Sequence, residues 1–229
     1  MNKNILITGC SSGLGLALTN YYLEHEYIVY GISRRKPLIE NKNFIFKEFD
    51  LSKIEKIKSS LTSFITQIKD IETVYLNAGT LGEIKEMTKL SYEDIKEVLD
   101  LNVFANKELL DILTNVNVNN IIGISSGASK NGSKGWGAYS LSKSSLNMLL
   151  NLYSKEMLNT KILAVAPGVI ETPMTDYIRF EVNDNIYTSA KILKNGDIQK
   201  PNEAAQKLHQ VIEKIEQFES GSFIDVRNI

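Results

Sequence analysis

The feature that most restricts this chain is a short apolar run that breaks off in glycines and resumes as a helix. Asn4-Ile5-Leu6-Ile7-Thr8 leads straight into Gly9-Cys10-Ser11-Ser12-Gly13-Leu14-Gly15, and a helical pattern follows. In such a turn the unpaired N–H groups of the helix start and the positive end of its dipole converge on one point, where a phosphate can sit. Glycines permit positive φ and let a ligand approach backbone that larger side chains would shield.

The rest of the chain has the matching rhythm. Short β-branched runs alternate with amphipathic helical patterns, without repeats or a Gly-, Ser- or Pro-rich linker. Strands are expected over 4–8, 27–32, 44–49, 73–77, 120–125, 161–166 and 222–226. Most are nearly continuous apolar runs, as in a parallel sheet covered on both faces. Ile54, Ile57, Leu61, Phe64, Ile65 and Ile68 form one helical stripe; Ala204, Ala205, Leu208, Val211, Ile212 and Ile215 form another. Ser91-Tyr92-Glu93-Asp94 resembles a capping box, and Pro201 suits a first helical turn. Residues 174–200 are poorly patterned and aromatic, as expected of a lid over a site. One α/β domain is expected over 1–229, with a mostly parallel, doubly wound seven-stranded sheet and helices on both faces.

Composition removes several function classes. Twenty-six Lys+Arg balance 27 Asp+Glu, which argues against a general nucleic-acid or membrane-surface binder. No run approaches the ~20 apolar residues of a membrane span, and the N-terminal apolar run is too short for a secretory signal. The single cysteine, Cys10, excludes an intramolecular disulfide, and with only His25 and His209 beside it no metal centre is expected. A cytoplasmic protein is the expectation.

The loop's spacing is Gly-x-x-x-Gly-x-Gly, and Thr8 to Gly15 resembles the cofactor motif of the short-chain dehydrogenase/reductase family in its compact single-domain branch. The resemblance covers essentially the whole chain and implies a Rossmann-like fold. It also implies dinucleotide contacts from Gly9, Ser11, Ser12, Gly13, Leu14 and Gly15. Ser33 stands where the family's NAD users carry an acid, and Arg34 follows. Arginine grips phosphate bidentately, so NADP (as NADPH) rather than NAD is expected, although Ser12 stands where many NADP-dependent relatives have a basic residue. Asp50-Leu51 resembles the adenine-contacting pair, Asn77-Ala78-Gly79 the Asn-Ala-Gly motif, and Pro167-Gly168-Val169 with Thr172 the nicotinamide-end motif. Cys10, inside the loop, is expected to be a packing residue.

Tyr139 and Lys143 stand four apart on one helix face, where a cation near the phenol favours phenolate. Ser126, thirteen residues before Tyr139 at a strand end, matches the family's catalytic serine, and Asn102 its catalytic asparagine. The resemblance then implies that Tyr139 is the general acid in reduction and the base in oxidation, and that Ser126 polarises a carbonyl. Lys143 would contact the nicotinamide ribose and lower the tyrosine pKa, and Asn102 would support a water relay to Lys143.

A small or medium carbonyl or alcohol substrate is expected, lined by Leu81, Trp136 and the lid, with Arg179 a candidate for an anionic group. A non-catalytic NADP sensor and a nucleotide-sugar epimerase or dehydratase are the competing classes. Relatives commonly form homodimers or homotetramers, and Leu109, Leu110, Leu113, Met148, Leu152 and Met157 are the candidate interface residues. The chain stops three residues after its last strand, so little of the pocket is expected from that end.

Overall fold

The computed structural model describes residues 3–229. In chain order the elements are β1 (Asn4–Thr8), α1 (Gly13–Glu24), β2 (Ile28–Ser33), β3 (Phe44–Glu48), α2 (Ile54–Thr66) and β4 (Asp70–Leu76). They continue with α3 (Tyr92–Leu99), α4 (Ala105–Leu113), β5 (Asn117–Ile124), α5 (Gly137–Glu156) and β6 (Lys161–Ala166). The last are α6 (Pro173–Phe180), α7 (Thr188–Asn195), α8 (Pro201–Glu213) and β7 (Phe223–Asp225). The strands form one sheet in the order β3-β2-β1-β4-β5-β6-β7. Every pairing in it is parallel.

The apolar runs follow from this burial. Successive strand side chains point to opposite faces, so Ile5 and Ile7 of β1 pack beneath α1 and α8 with Leu18, Leu208 and Val211. Leu6 points the other way, into a core built by Ile57, Leu61 and Ile65 of α2, Leu109, Leu110 and Leu113 of α4, and Leu146 and Leu150 of α5. A strand covered on both faces needs apolar residues at every position, which is why alternation is absent.

Three leucines expected at an oligomer interface are therefore core: Leu109 is 1% exposed, and Leu110 and Leu113 are 0% exposed. Their stripe is consumed by the chain's own α2 and sheet. Met157 is partly buried against the same core. Met148 and Leu152 of α5 do face outward.

Strand ends also differ. β4 begins at Asp70 and β5 at Asn117, each three residues earlier than the apolar runs suggest. The extra residues are polar and bond across the sheet end: Asn117 Nδ2 donates to Asp70 Oδ1 at 2.7 Å, and Asn119 Nδ2 to Glu72 Oε2 at 3.0 Å. Hydropathy does not register strand residues satisfied in this way.

The poorly patterned segment becomes two short helices. Thr172 caps α6 by accepting from the Thr175 N–H at 3.3 Å, and Pro173 occupies its first position. With α7 it closes a small separate core of Leu81, Ile178 and Ala190, packed by Ile84, Trp136, Tyr139 and Tyr187. Among the described residues no helix is long and apolar enough to cross a membrane.

Candidate active site

In the sheet order β1 lies between β2 and β4, so the connections after β1 and β4 leave on opposite sides and open a crevice at the strands' carboxyl ends. Gly9 (φ 69°) and Gly13 (φ 52°) both take left-handed conformations there. The Thr8 hydroxyl accepts the N–H groups of Asn77 (2.9 Å) and Ala78 (3.0 Å). The Asn77 amide donates to the carbonyls of Thr8 (3.0 Å) and Gly9 (3.2 Å). The turn after β4 thus clasps the glycine turn after β1.

Gly15 belongs to this clasp and does not line the crevice: a Cβ there would collide with the Gly9 carbonyl oxygen. Ser12 is the α1 N-cap, and its side chain makes no capping bond. The turn therefore offers free N–H groups, an uncommitted hydroxyl and glycine backbone, a donor set that fits a dinucleotide pyrophosphate.

At the β2 end, Ser33, Arg34 and Arg35 line the same crevice with Asp50 and Leu51. Ser33 is buried, donates to the Arg35 carbonyl at 2.7 Å, and receives the Cys10 thiol at 3.5 Å. Burial pushes the Cys10 thiol up, with the Ser33 contact opposing, so it stays protonated as a packing group. Partial burial works against the Asp50 carboxylate, yet two bonds from Ser52 and the Arg34 charge hold its pKa below the ordinary value. Arg34 is exposed.

At the other end, Ser126 lies two residues past the end of β5, and Tyr139 and Lys143 stand one turn apart at the start of α5. Lys143 Nζ donates to the Ile124 carbonyl at 2.7 Å and lies 5.6 Å from the Tyr139 ring centroid. Burial lowers the Lys143 ammonium from 10.5 to about 8. Burial raises the Tyr139 phenol, and its hydrogen bond with Ser126 offsets only part of the rise. The expected lowering of the tyrosine by Lys143 is not seen: Ser126 alone opposes desolvation, and the phenol holds its proton.

Asn102 lies deeper still, fully buried and outside the crevice lining. The helix expected around it is interrupted: residues 100–104 form a wide π turn between α3 and α4, in which the Ala105 N–H reaches back five residues to the Asp100 carbonyl. Such turns recur at functional sites. Its Oδ1 accepts from the Thr80 N–H at 2.8 Å, and its Nδ2 donates to the Thr80 carbonyl (2.8 Å) and Ser142 Oγ (2.9 Å). Both amide hydrogens of Asn102 are thus given to protein groups, and its oxygen accepts one backbone N–H.

Apart from Gly15 and Asn102, every site residue expected from the sequence lines this one cleft of about 710 Å³. Trp136 lines it too, 6.0 Å from Tyr139 ring to ring, whereas Leu81 packs behind the wall in the lid's core and Arg179 lies outside. Met174, Ile178, Ile192 and Leu193, within the segment expected to be the lid, line one wall of the cleft. Arg227 also lines the cleft, its guanidinium held by Asp225 at 2.9 and 2.6 Å, so the C-terminal end does contribute. No motif flagged it; only closure of β7 against β6 brings it there. The described residues contain no cluster suited to a metal ion.

A doubly wound sheet with a glycine turn and a Tyr–Lys pair defines a Rossmann-like oxidoreductase. A family model for short chain dehydrogenase matches residues 3–183, and the chain belongs to that family. It is 30% identical over 251 residues to a benzil reductase ((S)-benzoin forming) of Bacillus cereus, covering 98% of this chain and 99% of the relative. A short chain dehydrogenase family protein from Francisella tularensis subsp. tularensis SCHU S4 superposes with a TM-score of 0.84 at 24% identity, covering 98% and 97% of the two chains. The structure of ElxO with NADP bound superposes at 0.79 with 21% identity, covering 99% and 97%.

Burial of Lys143 has a measurable cost. Its folded pKa lies below the ordinary 10.5. The penalty is therefore complete below about pH 8 and is relieved as pH rises toward 10.5, where the unfolded chain binds more protons. The shift corresponds to about 3 kcal/mol. The apoprotein of Lys143→Met is expected to be more stable than wild type at pH 7 by ~1–3 kcal/mol. The gap should narrow toward pH 10.5 in urea unfolding; a variant no more stable at pH 7 would contradict this.

Proposed function

We propose that this chain is an NADPH-dependent carbonyl reductase, working in reverse as an alcohol dehydrogenase, on small or medium substrates. The observation that carries the reading is the arrangement of Ser126, Tyr139 and Lys143 at one end of a cleft whose other end is the glycine turn. The cytoplasm, where NADPH is plentiful and the lone thiol stays reduced, is the proposed compartment.

When bound, the dinucleotide supplies the hydride, and the protein orients the carbonyl and delivers a proton. Gly9, Ser11, Ser12, Gly13 and Leu14 hold the pyrophosphate, and Arg34 with Ser33 takes the adenosine 2′-phosphate, which a guanidinium matches bidentately. Asp50 and Leu51 border the adenine, Ala78 and Gly79 admit the ribose, and Pro167, Gly168, Val169 and Thr172 border the nicotinamide. Ser126 donates to the substrate carbonyl oxygen. Tyr139 Oη gives that oxygen its proton as the alcohol forms; its raised pKa keeps the phenol protonated until negative charge develops on that oxygen. Lys143, still largely charged at neutral pH, stabilises the phenolate left behind.

The wall of Trp136, Met174, Ile178, Ile192 and Leu193 is largely apolar. The Bacillus cereus relative is a benzil reductase. Benzil, an apolar aromatic 1,2-diketone, is accordingly the first substrate to test. Wild type is expected to bind NADPH more tightly than NADH by cofactor fluorescence, with Arg34→Glu removing the preference. Tyr139→Phe is expected to lower the reduction rate by about a hundredfold or more while leaving NADPH binding nearly intact. Equal NADPH affinity in wild type and Arg34→Glu, or appreciable turnover in Tyr139→Phe, would overturn these assignments.

A homodimer or homotetramer is proposed through α5, where Leu141, Met148 and Leu152 are 46%, 59% and 55% exposed and share one helix face. Light scattering is expected to give at least a dimer, and Met148→Glu with Leu152→Glu to give a monomer; a monomeric wild type would contradict it.

A further inference from the structure

Asn106 is a buried amide that no step of the proposed reaction uses. It sits one turn after Asn102 in α4, is 2% exposed, and its Nδ2 donates to the Asn102 carbonyl at 2.8 Å. The place matters. Asn102 lies in the middle of the wide turn of residues 100–104, and the Asn106 amide adds a side-chain donor to a buried carbonyl inside that turn. Reaching back four residues, that amide ties α4 to the wide turn.

The bonds beyond Asn102 lead to the reacting groups. The Asn102 amide grips both backbone groups of Thr80, just after Gly79, and donates to Ser142 Oγ. Ser142 Oγ in turn donates to the Tyr139 carbonyl at 2.7 Å. Asn102 and Ser142 are both 0% exposed. Gly79 is the thin wall between the two systems: a Cβ built on it would lie 3.0 Å from Asn102 Oδ1 and 3.6 Å from Lys143 Nζ. The hydrogen-bonded series Asn106, Asn102, Ser142 and Tyr139 therefore joins the wide turn to the helical turn that bears both Tyr139 and Lys143.

We propose that Asn106 is a positioning residue for the reaction: by bonding the Asn102 carbonyl it fixes the wide turn, and through Asn102 and Ser142 it sets the placement of Tyr139 and Lys143. Asn106 touches neither substrate nor cofactor, and its contribution lies in alignment. The catalytic roles at stake rest on the carbonyl-reductase reading, whereas the structural coupling does not. A serine at 106 retains the essential bond, because serine in a helix bonds the carbonyl four residues back. Leucine has the same branching at Cγ, is larger, and has no donor.

The test compares Asn106→Leu, Asn106→Ser and, from the opposite end of the series, Ser142→Ala. The first readout is the titration of Lys143 in the apoprotein, followed by NMR on isotope-labelled lysine and assigned with Lys143→Arg. Tyr139 is the titratable neighbour to monitor alongside it. Asn106→Leu and Ser142→Ala should admit water beside Gly79 and move the Lys143 midpoint upward from about 8 toward 10.5, while Asn106→Ser stays near wild type.

The second readout is reduction of benzil by NADPH. Asn106→Leu is expected to lower kcat about tenfold to a hundredfold, with KM and NADPH affinity little changed, and Asn106→Ser to restore most of the rate. A Lys143 midpoint and kcat unchanged in folded Asn106→Leu would overturn the proposal, as would a serine variant impaired as much as leucine. If Asn106→Leu does not fold, an unshifted Lys143 in Ser142→Ala overturns it. A wild type that fails to reduce benzil while Lys143 shifts as expected would count against the substrate or reaction reading and leave the coupling supported.

Discussion

The organisation of this molecule depends on a hydrogen-bonded clasp between two strand ends. Thr8 and Gly9 at the end of β1 accept four bonds from Asn77 and Ala78, just after β4. Those bonds hold open a glycine turn that would otherwise lack fixed geometry. Two glycines in the left-handed region are entropically costly to order, and buried donors without partners would add ~1–3 kcal/mol each. The clasp meets both demands, since it orders the turn with the backbone groups that needed partners. It also fixes the crevice at the place where the sheet reverses its winding.

The opposite end of the cleft follows another physical logic. A buried ammonium is unfavourable for folding, and Lys143 has no acidic partner to neutralise it, while the half-buried Tyr139 phenol beside it stays neutral. Their retention fits chemistry that needs a proton held on a phenol and a cation close by. Burial acts on the two groups in opposite senses, raising the tyrosine and lowering the lysine. Proton release from Tyr139 therefore requires the negative charge that develops on the substrate oxygen as hydride reaches the carbonyl carbon, which ties the transfer to the reaction.

The sequence made some layers legible and hid others. β1, the glycine turn and the start of α5 were readable because each combines an apolar period with residues whose conformational or chemical demands are narrow. The seven-stranded order could be expected from the family resemblance, and the uniform apolar runs pointed to a parallel sheet. The early starts of β4 and β5 were hidden because Asp70, Asn117 and Asn119 satisfy one another sideways. The burial of Leu109, Leu110 and Leu113 was hidden because a helical stripe does not say what covers it. The wide turn at Asn102 leaves no periodic signature, and Arg227 reaches the cleft only through the pairing of β7 with β6.

The central claim is that the cleft joins a dinucleotide at the glycine turn to a carbonyl beside Tyr139. The most direct measurement uses NADPH deuterated at the transferable C4 position, with benzil as acceptor and mass spectrometry of the product. The account predicts one deuterium on the new carbinol carbon in wild type and none above background with Tyr139→Phe. Cofactor oxidation that leaves no deuterium in the product, or equal labelling in the two proteins, would contradict it.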